Sequence, residues 1–474
     1  MAELLTPDIC VVGAGSAGLS VAAGASQLGA ATVLVEAGRM GGDCLNYGCV
    51  PSKALLAAAH AARAVGEAAA FGVAAGPARV DFARVRAHVR EVVESIAPND
   101  SEARFTGLGV RVVRAAARFT GPAELEAGAL RIRARRFVLA TGSAPLLPPV
   151  PGLAETPHLT NETVFELADL PEHLLVLGGG PIGCELAQAF RGLGAAVSLV
   201  ERAQLLPKDD PELVEVVRRR LAADGIALHE GAEVVRAAPD RGGVALTLRQ
   251  GDGERVLAGS ALLVAAGRRP RLDGLGLAAA GIAHDGRGIT VDAGLRTSNR
   301  RVYAIGDAVG GLQFTHVAGY HAGLVIRSAL FRLPARVSTA AIPWVTYTAP
   351  ELAHVGLAEA AARERHGAIR ILRWPFAEND RARTERVAGG FVKVVTTARG
   401  RILGASIVGP QAGELIQPWV LAIARGLGIG AMAQLVLPYP TLGEAGKRAA
   451  GSYFLPSLFG PRSKRLVRFL SRFG

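Results

Sequence analysis

Residues 8–18 read DICVVGAGSAG, a short apolar run that leads directly into the pattern Gly-x-Gly-x-x-Gly. An Ala-rich stretch follows and ends near Leu28, and a second apolar run, residues 31–35, ends in Glu36. These segments predict a strand, a glycine loop, a helix and a second strand, which is the order of a dinucleotide-binding fold. Such a loop lets the backbone approach a pyrophosphate, and an acid about 20 residues later accepts hydrogen bonds from ribose hydroxyls. The glycines of the predicted phosphate loop are Gly13, Gly15 and Gly18.

The same pattern recurs at residues 176–183, which read VLGGGPIG, and the strand that follows ends in Glu201. The glycines of this second loop are Gly178, Gly180 and Gly183. Each copy also has a later apolar strand that ends in small residues, at positions 141–142 in the first and 266–267 in the second. We therefore predict two duplicated folds and two bound dinucleotides.

Residues 41–53, GGDCLNYGCVPSK, contain two of the four cysteines, Cys44 and Cys49. Their spacing fits a helical turn or tight loop in which the sulfurs reach bonding distance, and Pro51 suits the first turn of a helix. Cys49 then lies at the positive end of a helix dipole, which favours its thiolate and leaves Cys44 as the more exchangeable sulfur. A structural disulfide or two buried thiols are the alternatives, and the two nucleotide motifs favour a redox-active pair over both.

The chain has 474 residues, half of them apolar, and a formal net charge of +12. Its cations are mostly Arg residues spread along the sequence among many alanines, which does not indicate nucleic-acid binding. No apolar run approaches the ~20 residues of a membrane span, and the N-terminus lacks the layout of a signal peptide. The sequence thus predicts a globular, cytoplasmic protein, and in a reducing compartment a close cysteine pair is more often catalytic than structural.

These motifs, in this order over the whole chain, resemble the flavin-dependent pyridine-nucleotide disulfide oxidoreductases, the group of dihydrolipoamide dehydrogenase, glutathione reductase and mercuric reductase. The resemblance implies an α/β fold with two Rossmann-like domains, for FAD and NAD(P), and a C-terminal α+β dimerisation domain. A Pro-rich linker before Gly152 and the pair Arg269-Pro270 mark two of the boundaries. The implied domains are 1–148 with 270–338 for FAD, 149–269 for NAD(P), 339–452 for dimerisation and 453–474 for a basic tail.

The resemblance also implies which residues contact the cofactors. Those on FAD positions are Gly13, Gly15, Gly18, Glu36, Gly42, Lys53, Thr141, Gly142, Asp307, Thr315 and Ala318. Those on NAD(P) positions are Gly178, Gly180, Gly183, Glu201, Gly267 and Arg268. A carboxylate at the end of this strand accepts hydrogen bonds from a ribose diol and repels a 2′-phosphate. Glu201 therefore predicts NADH rather than NADPH, although Arg202 and Lys208 nearby oppose that preference.

In the implied reaction, reduced nicotinamide gives hydride to FAD, and the flavin then opens a disulfide between Cys44 and Cys49. Cys49 is the thiolate next to the flavin, and Cys44 exchanges with a disulfide or dithiol substrate. Lys53 and Glu185 match a pair placed near the flavin N5. Lys53 also lies one helical turn after Cys49, where its cation stabilises the thiolate. The direction of electron flow stays open.

The acid-base element of the disulfide-specific members reads His-x-His-Pro-Thr-x-x-Glu, whereas residues 437–444 here read LPYPTLGE. Glu444 is in place, and Tyr439 stands at the catalytic histidine. A phenol titrates near ~10 and an imidazole near ~6.5, so Tyr439 is a poor base and slow lipoamide exchange is expected. A tyrosine at this position is similar to the mercuric reductases, but the chain lacks their paired C-terminal cysteines. In the implied homodimer, Tyr439 and Glu444 reach the cysteine pair of the opposite subunit.

The C-terminal tail is basic, and Leu466, Leu470 and Phe473 share a helical face opposite several arginines. Such a helix either packs on its own dimer or docks on the inner face of a membrane, and the sequence leaves both open. Three functions follow: a disulfide or dithiol oxidoreductase first, a metal-ion or quinone reductase second, and a membrane-associated redox partner third. Cys10 and Cys184 are predicted to be core residues, and no resident metal site is predicted.

Overall fold

The computed structural model describes residues 3–251 and 253–473, which form two compact units. The first unit extends to Arg202 and resumes over His229–Val337. The second contains Ala203–Leu228 and the chain from Ser338 onward. The chain passes from the second unit back to the first between Leu228 and His229, within the short strand Ala227–Glu230. The domain boundaries implied by the sequence stay a prediction.

A five-stranded parallel sheet is the centre of the first dinucleotide fold, and residues 9–12 form its middle strand. In spatial order the strands are Val302–Ala304, Arg136–Leu139, Ile9–Val12, Thr32–Glu36 and Arg111–Arg114. The middle strand is buried along its whole length, as expected for a parallel strand that is covered on both faces. The helix Ser16–Gln27 follows the glycine loop directly, which confirms the predicted order of strand, loop, helix and strand.

A helix from much later in the chain, Thr315–Ala329, completes this fold. It shares an apolar core with the helix Ser16–Gln27 and the middle strand. The two helices approach closely because Gly24 has no side chain: a Cβ atom there would lie 2.4 Å from Ile326 Cδ1. Packing of sequence-distant helices therefore brings Thr315 and the residues after it to the first glycine loop.

The second dinucleotide fold repeats this plan. Its strand His173–Leu177 pairs in parallel with Ala196–Glu201 on one side and with Ala261–Val264 on the other. The helix Pro181–Gly192 follows the second glycine loop. Cys184 on this helix is fully buried, as is Cys10 in the first sheet, which confirms both as core residues.

Two glycines at matching positions show the duplication directly. Gly13 has a φ of +104° and Gly178 a φ of +116°, a region that other residues rarely adopt. A Cβ atom at Gly13 would lie 2.3 Å from the carbonyl oxygen of Ala140, and one at Gly178 would lie 2.4 Å from that of Ala265. Each loop therefore passes against the end of a neighbouring strand at a distance that only glycine permits.

The other elements of the first unit are smaller sheets and further helices. The remaining strands are Glu3–Leu5, Ala117–Gly121, Glu124–Ala127, Leu130–Ile132, Ser143–Pro145, Glu233–Asp240, Gly243–Gln250, Gly253–Gly259, Arg268–Pro270, His284–Asp285 and Gly288–Ile289. The remaining α-helices are Gly42–Asn46, Cys49–Glu67, Phe82–Ile96 and Glu102–Gly107. Short 3₁₀ helices cover Ala68–Phe71, Ala97–Asp100, Val164–Glu166 and Gly306–Val309.

The second unit is built on a five-stranded antiparallel sheet with helices packed on it, which confirms the predicted α+β region. In spatial order the strands are Pro343–Thr346, Glu351–Gly356, Ile402–Gly409, Phe391–Thr397 and Ile369–Pro375. The helices are Pro211–Ala223, Glu359–His366, Asp380–Thr384, Ala412–Leu415, Gln417–Ala424, Ile429–Ala433, Glu444–Ser452, Leu455–Leu458 and Pro461–Leu470, with a 3₁₀ turn at Phe376–Glu378.

A buried ion cluster fixes residues 203–228 to the sheet of this second unit. The Lys393 ammonium, whose side chain is 3% exposed, lies 2.6 Å from Asp210 and 2.9 Å from both Glu212 and Glu359. Arg373 holds Glu212 through two hydrogen bonds of 2.7 Å. Because a lone charge at such depth is costly, the mutual pairing fixes where the helix Pro211–Ala223 begins.

Candidate redox-active cysteine site

The two cysteines lie on consecutive helices of the first unit. Gly42–Asn46 form one short helix that carries Cys44, and Cys49 is the first residue of Cys49–Glu67, called the cysteine helix below. The Asn46 amide donates hydrogen bonds to the backbone carbonyl oxygens of Met40 and Gly42, at 3.0 and 2.8 Å. This local folding confirms the predicted helix start and places the Cys49 sulfur at the positive end of the helix dipole.

Both sulfurs are free thiols within hydrogen-bonding reach of each other, and their pKa values separate widely. The hydrogen bond from Cys44 is the largest of the effects that lower the pKa of Cys49 to about 6; Thr315 and the Lys53 cation add to it. The same hydrogen bond, with burial, raises the pKa of Cys44 far above that of a free thiol. The hydrogen bond between the sulfurs therefore favours a Cys49 thiolate beside a Cys44 thiol.

Three helices of the first unit begin around these sulfurs. Ser16 and Thr315 are each the first residue of a helix, and Cys49 is the first residue of the cysteine helix. The Thr315 hydroxyl lies 3.5 Å from the Cys49 sulfur, and the Ser16 hydroxyl forms a hydrogen bond with Cys44. The positive ends of three helix dipoles thus surround the pair and stabilise negative charge there.

The predicted pair Lys53 and Glu185 is present as an ion pair of 2.6 Å. Lys53 lies one turn after Cys49, and Glu185 lies on the helix Pro181–Gly192 of the second dinucleotide fold with only 5% of its surface exposed. The two helices pack closely, since a Cβ atom at Gly192 would lie 3.1 Å from Ala59 Cβ. The pair therefore holds a cation near the Cys49 thiolate and connects the cysteine helix to the second dinucleotide fold.

The residues predicted to contact FAD fit a dinucleotide in this structure. A Cβ atom at Gly15 would have no neighbour nearer than Gly42 Cα at 3.8 Å, so the loop leaves its backbone accessible at the start of a helix. Glu36 accepts hydrogen bonds of 2.5 Å from the backbone N–H groups of Ala14 and Gly38, which points its carboxylate along the loop. The exposed loop backbone at the helix start can therefore bind an anion, and the Glu36 carboxylate can accept hydrogen bonds from a ribose.

The other predicted FAD residues lie at strand and helix ends of the same fold. Asp307 accepts a hydrogen bond of 2.6 Å from Ser143, and burial raises its pKa above the usual range for a carboxyl group. The Thr141 hydroxyl donates to the carbonyl oxygen of Arg271 at 2.8 Å, next to Gly142, which has a positive φ. Ala318 is buried in the first turn of the helix Thr315–Ala329.

The second glycine loop also fits a dinucleotide. A Cβ atom at Gly180 would meet nothing within 4 Å, whereas one at Gly183 would lie 1.9 Å from the carbonyl oxygen of Gly178. The Glu201 carboxylate accepts a hydrogen bond of 2.7 Å from the backbone of Gly179, as Glu36 does in the first loop. The two predicted ribose acids therefore have equivalent positions in the two folds.

Arg268, predicted to contact the nicotinamide nucleotide, also contacts the cysteine segment. Its guanidinium lies 3.1 Å from the Asp43 carboxylate and donates to the hydroxyl and the carbonyl oxygen of Ser143 at 2.8 and 3.1 Å. Asp43 precedes Cys44 and also accepts a hydrogen bond of 3.1 Å from Asn161. Sequence reasoning missed Asp43, Ser143 and Asn161, because nothing in the sequence indicates that Arg268 reaches the cysteine segment.

In the second unit, Tyr439 is 71% exposed and its hydroxyl donates a hydrogen bond of 2.8 Å to Asp380. That hydrogen bond to a carboxylate raises the pKa of Tyr439 further above the ordinary value of a phenol. Glu444 is the first residue of the helix Glu444–Ser452. Asp380 was not predicted from the sequence, because it lies far from Tyr439 along the chain.

The chain matches two family profiles in sequence. The profile of pyridine nucleotide-disulphide oxidoreductases matches residues 7–322, and that of their dimerisation domain matches residues 342–450. A mercuric reductase of Streptomyces lividans is 35% identical over 454 residues, which cover 94% of this chain and 96% of that protein. A dihydrolipoyl dehydrogenase of Thermus scotoductus is 36% identical over 458 residues, with coverages of 94% and 97%.

Solved structures with the same fold include the HOCl-induced flavoprotein disulfide reductase RclA from Escherichia coli. It superposes with a TM-score of 0.83 and 28% identity, and the match covers 94% of this chain and 99% of that one. A Cu(II) complex of the same reductase superposes with a TM-score of 0.83, covering 93% and 98%. These likenesses extend over both dinucleotide folds and the α+β region.

We expect Arg268→Met to raise the pKa of Cys49 above about 6. The Asp43 charge acts to raise that pKa, and Arg268 is the cation paired with Asp43. Loss of the Arg268 cation should shift the midpoint of the Cys49 titration upward by roughly half a pH unit to one pH unit. A pH titration of thiolate absorbance in the reduced protein measures the shift, because burial raises the pKa of Cys10 to about 12.

Arg271→Met is the matched control, since Arg271 also donates to the Ser143 carbonyl oxygen but pairs with Glu162 instead of Asp43. Asp43→Asn should shift the midpoint in the opposite direction. Equal midpoints for Arg268→Met and Arg271→Met would show that Arg268 does not influence the cysteine pair.

Proposed function

Because the chain belongs to the pyridine nucleotide-disulphide oxidoreductase family, we propose that Cys44 and Cys49 form its redox-active disulfide and pass electrons between NADH and a disulfide or dithiol substrate. The family is FAD-dependent with NAD(P)H as partner, and the dimerisation-domain match indicates a homodimer. One observation supports the proposal most: a Cys49 thiolate at a helix start accepts a hydrogen bond from Cys44 and lies one turn from the Lys53–Glu185 pair.

When bound, FAD would supply an acceptor for the hydride of reduced nicotinamide and a donor of electrons to the disulfide. Reduction breaks the bond between the two sulfurs and, with one proton, leaves the Cys49 thiolate and the Cys44 thiol. Lys53 stabilises the thiolate, and Glu185 fixes the position of Lys53. Cys44, whose proton is held in the hydrogen bond to Cys49, is the sulfur that meets the substrate.

The proposed cofactor contacts follow the two glycine loops. We assign FAD to Gly13, Gly15, Gly18, Glu36, Gly42, Lys53, Thr141, Gly142, Asp307, Thr315 and Ala318. We assign the nicotinamide nucleotide to Gly178, Gly180, Gly183, Glu201, Gly267 and Arg268. Its contacts with Asp43 and Ser143 also support a positioning role for Arg268 beside the cysteines.

A second candidate, favoured by Tyr439, is reduction of a soft metal ion in place of a dithiol or disulfide. Exchange with lipoamide needs a base for the exchanging thiol, and a phenol whose pKa is raised by Asp380 cannot serve. Thiolates bind soft metal ions directly. Closure of the disulfide releases two electrons, enough to reduce one Hg(II) to Hg(0) or two Cu(II) to Cu(I). In the homodimer, we propose that Tyr439 and Glu444 reach the site of the partner subunit.

The acceptor is tested by following NADH oxidation with lipoamide, Hg(II), Cu(II) and a quinone. We expect wild-type lipoamide turnover to be slow and to rise with pH, because the raised pKa of Cys44 keeps its thiol protonated at neutral pH. Tyr439→His should raise lipoamide turnover at least ~10-fold by supplying a base, and Tyr439→Phe should not. Metal reduction should change little in Tyr439→His.

Cys44→Ser is the control for these assays, because it should abolish turnover of every acceptor that needs the pair. Two results together would favour electron transfer without the cysteines: the wild type reduces only the quinone, and Cys44→Ser still reduces it. The contrary result is that the wild type turns over lipoamide fast at neutral pH, with Tyr439→His and Tyr439→Phe unchanged. That result would show that Tyr439 takes no part in the reaction.

We also propose a preference for NADH over NADPH. The Glu201 carboxylate ends a strand beside the second glycine loop, where it accepts ribose hydroxyls and repels a 2′-phosphate. Glu201→Gln should therefore lower kcat/KM for NADH, raise it for NADPH and narrow the preference by roughly tenfold. Steady-state kinetics with both coenzymes measure this, and a higher wild-type kcat/KM with NADPH would contradict the assignment.

A further inference from the structure

The C-terminal tail, residues 453–473, lies beyond the region that matches the family's dimerisation domain, which ends at residue 450. It contains the helices Leu455–Leu458 and Pro461–Leu470. No acidic residue follows Glu444 in the sequence, whereas the tail contains five cations, Arg462, Lys464, Arg465, Arg468 and Arg472, and two more, Lys447 and Arg448, lie at the end of the matched domain. The end of the chain is thus a locally cationic segment that the known domain does not explain.

The last helix has two distinct faces. The apolar face consists of Leu466, Phe469 and Leu470, which are 56%, 54% and 54% exposed, and Phe473, just beyond the helix, continues it with 74% exposure. The rings of Phe469 and Phe473 are in edge contact at 5.2 Å, which confirms that they share this face. At 100° per residue, Lys464 and Arg468 lie on the opposite face of the helix, Arg465 lies at the border between the two faces, and Arg462 lies beside the apolar residues. Nothing in the helix Pro461–Leu470 is buried.

The helix Leu455–Leu458 and the residue after it extend the apolar surface. Leu455 is 45% exposed, Leu458 is 59% exposed and Phe459 is 62% exposed. Scattered exposed apolar residues are ordinary on a protein surface, but a contiguous run of large ones marks an interaction site. The whole tail therefore presents an apolar surface bordered by cations.

We propose that this tail docks the enzyme on the surface of a lipid bilayer that contains anionic lipids. A bilayer interface accepts an apolar helix face into its acyl boundary while its anionic headgroups attract the cations on the polar face. Nucleic acid would match the cations alone and leave the apolar face in water. A second copy of the chain carries the same net charge of +12 and the same cationic tail, so charge does not favour it.

The tail would lie along the membrane surface. Among the described residues, no helix is long and apolar enough to cross a bilayer. None of the residues assigned to the cysteines or the cofactors lies in the tail, so the docking proposal does not depend on the proposed reaction. If the tail does not bind membranes, the proposed reaction still stands, and if the proposed reaction is wrong, the docking proposal still stands.

Co-sedimentation of the full-length holoenzyme with vesicles tests the proposal. Phosphatidylcholine vesicles with about 30% phosphatidylserine should bind it at least ~10-fold more strongly than pure phosphatidylcholine, and added salt should weaken the binding. Arg465→Glu/Arg468→Glu should remove the preference for phosphatidylserine. Phe469→Ser/Leu470→Ser should lower binding to both vesicles about tenfold or more. NADH oxidation with a water-soluble acceptor should stay unchanged in all variants and so report that they fold.

Matched controls come from exposed residues of the first unit. Arg287→Glu changes a cation that is exposed elsewhere, and Val256→Ser changes an apolar side chain that is 68% exposed, so neither should alter vesicle binding. Equal binding to both vesicles, or none, overturns the proposal. A shift of the dimer equilibrium in Phe469→Ser/Leu470→Ser without vesicle binding would assign the face to a second copy. Binding of duplex DNA in place of vesicles would likewise overturn it.

Discussion

The ion pair between Lys53 and Glu185 is the interaction on which the rest of the site depends. Glu185 is almost fully buried on the second dinucleotide fold, and a carboxylate at that depth requires a partner. Its partner lies on the cysteine helix, one turn after Cys49. The pair thereby connects the helix that presents the reactive sulfur to the fold that we assign to the nicotinamide nucleotide. It also holds a cation where a thiolate needs one.

Much of the fold was predictable because its signals are local in sequence. Each glycine loop lies between an apolar strand and a helix, and the structure forms both as predicted, with Glu36 and Glu201 in equivalent hydrogen bonds to the loops. The start of the cysteine helix was also predictable, from Pro51 and the spacing of the cysteines. In these segments neighbouring residues alone determine the backbone, so sequence patterns are sufficient.

Contacts between distant segments were not predictable in the same way. Nothing near Arg268 in the sequence indicates that its guanidinium reaches Asp43, and nothing near Tyr439 indicates Asp380. The Thr315 hydroxyl approaches Cys49 only because the helix Thr315–Ala329 packs beside the first glycine loop. These contacts set the charge balance at the cysteines and the acidity of Tyr439. The acidity of Cys49 and of Tyr439 therefore depends on residues that sequence patterns do not place.

The central claim is that Cys44 and Cys49 store two electrons in addition to those of the bound flavin. Anaerobic titration of the oxidised holoenzyme with dithionite measures this directly. The wild type should take up about four electrons per FAD, and Cys44→Ser and Cys49→Ser about two. An uptake of about two electrons in the wild type, equal to that of both variants, would contradict the account.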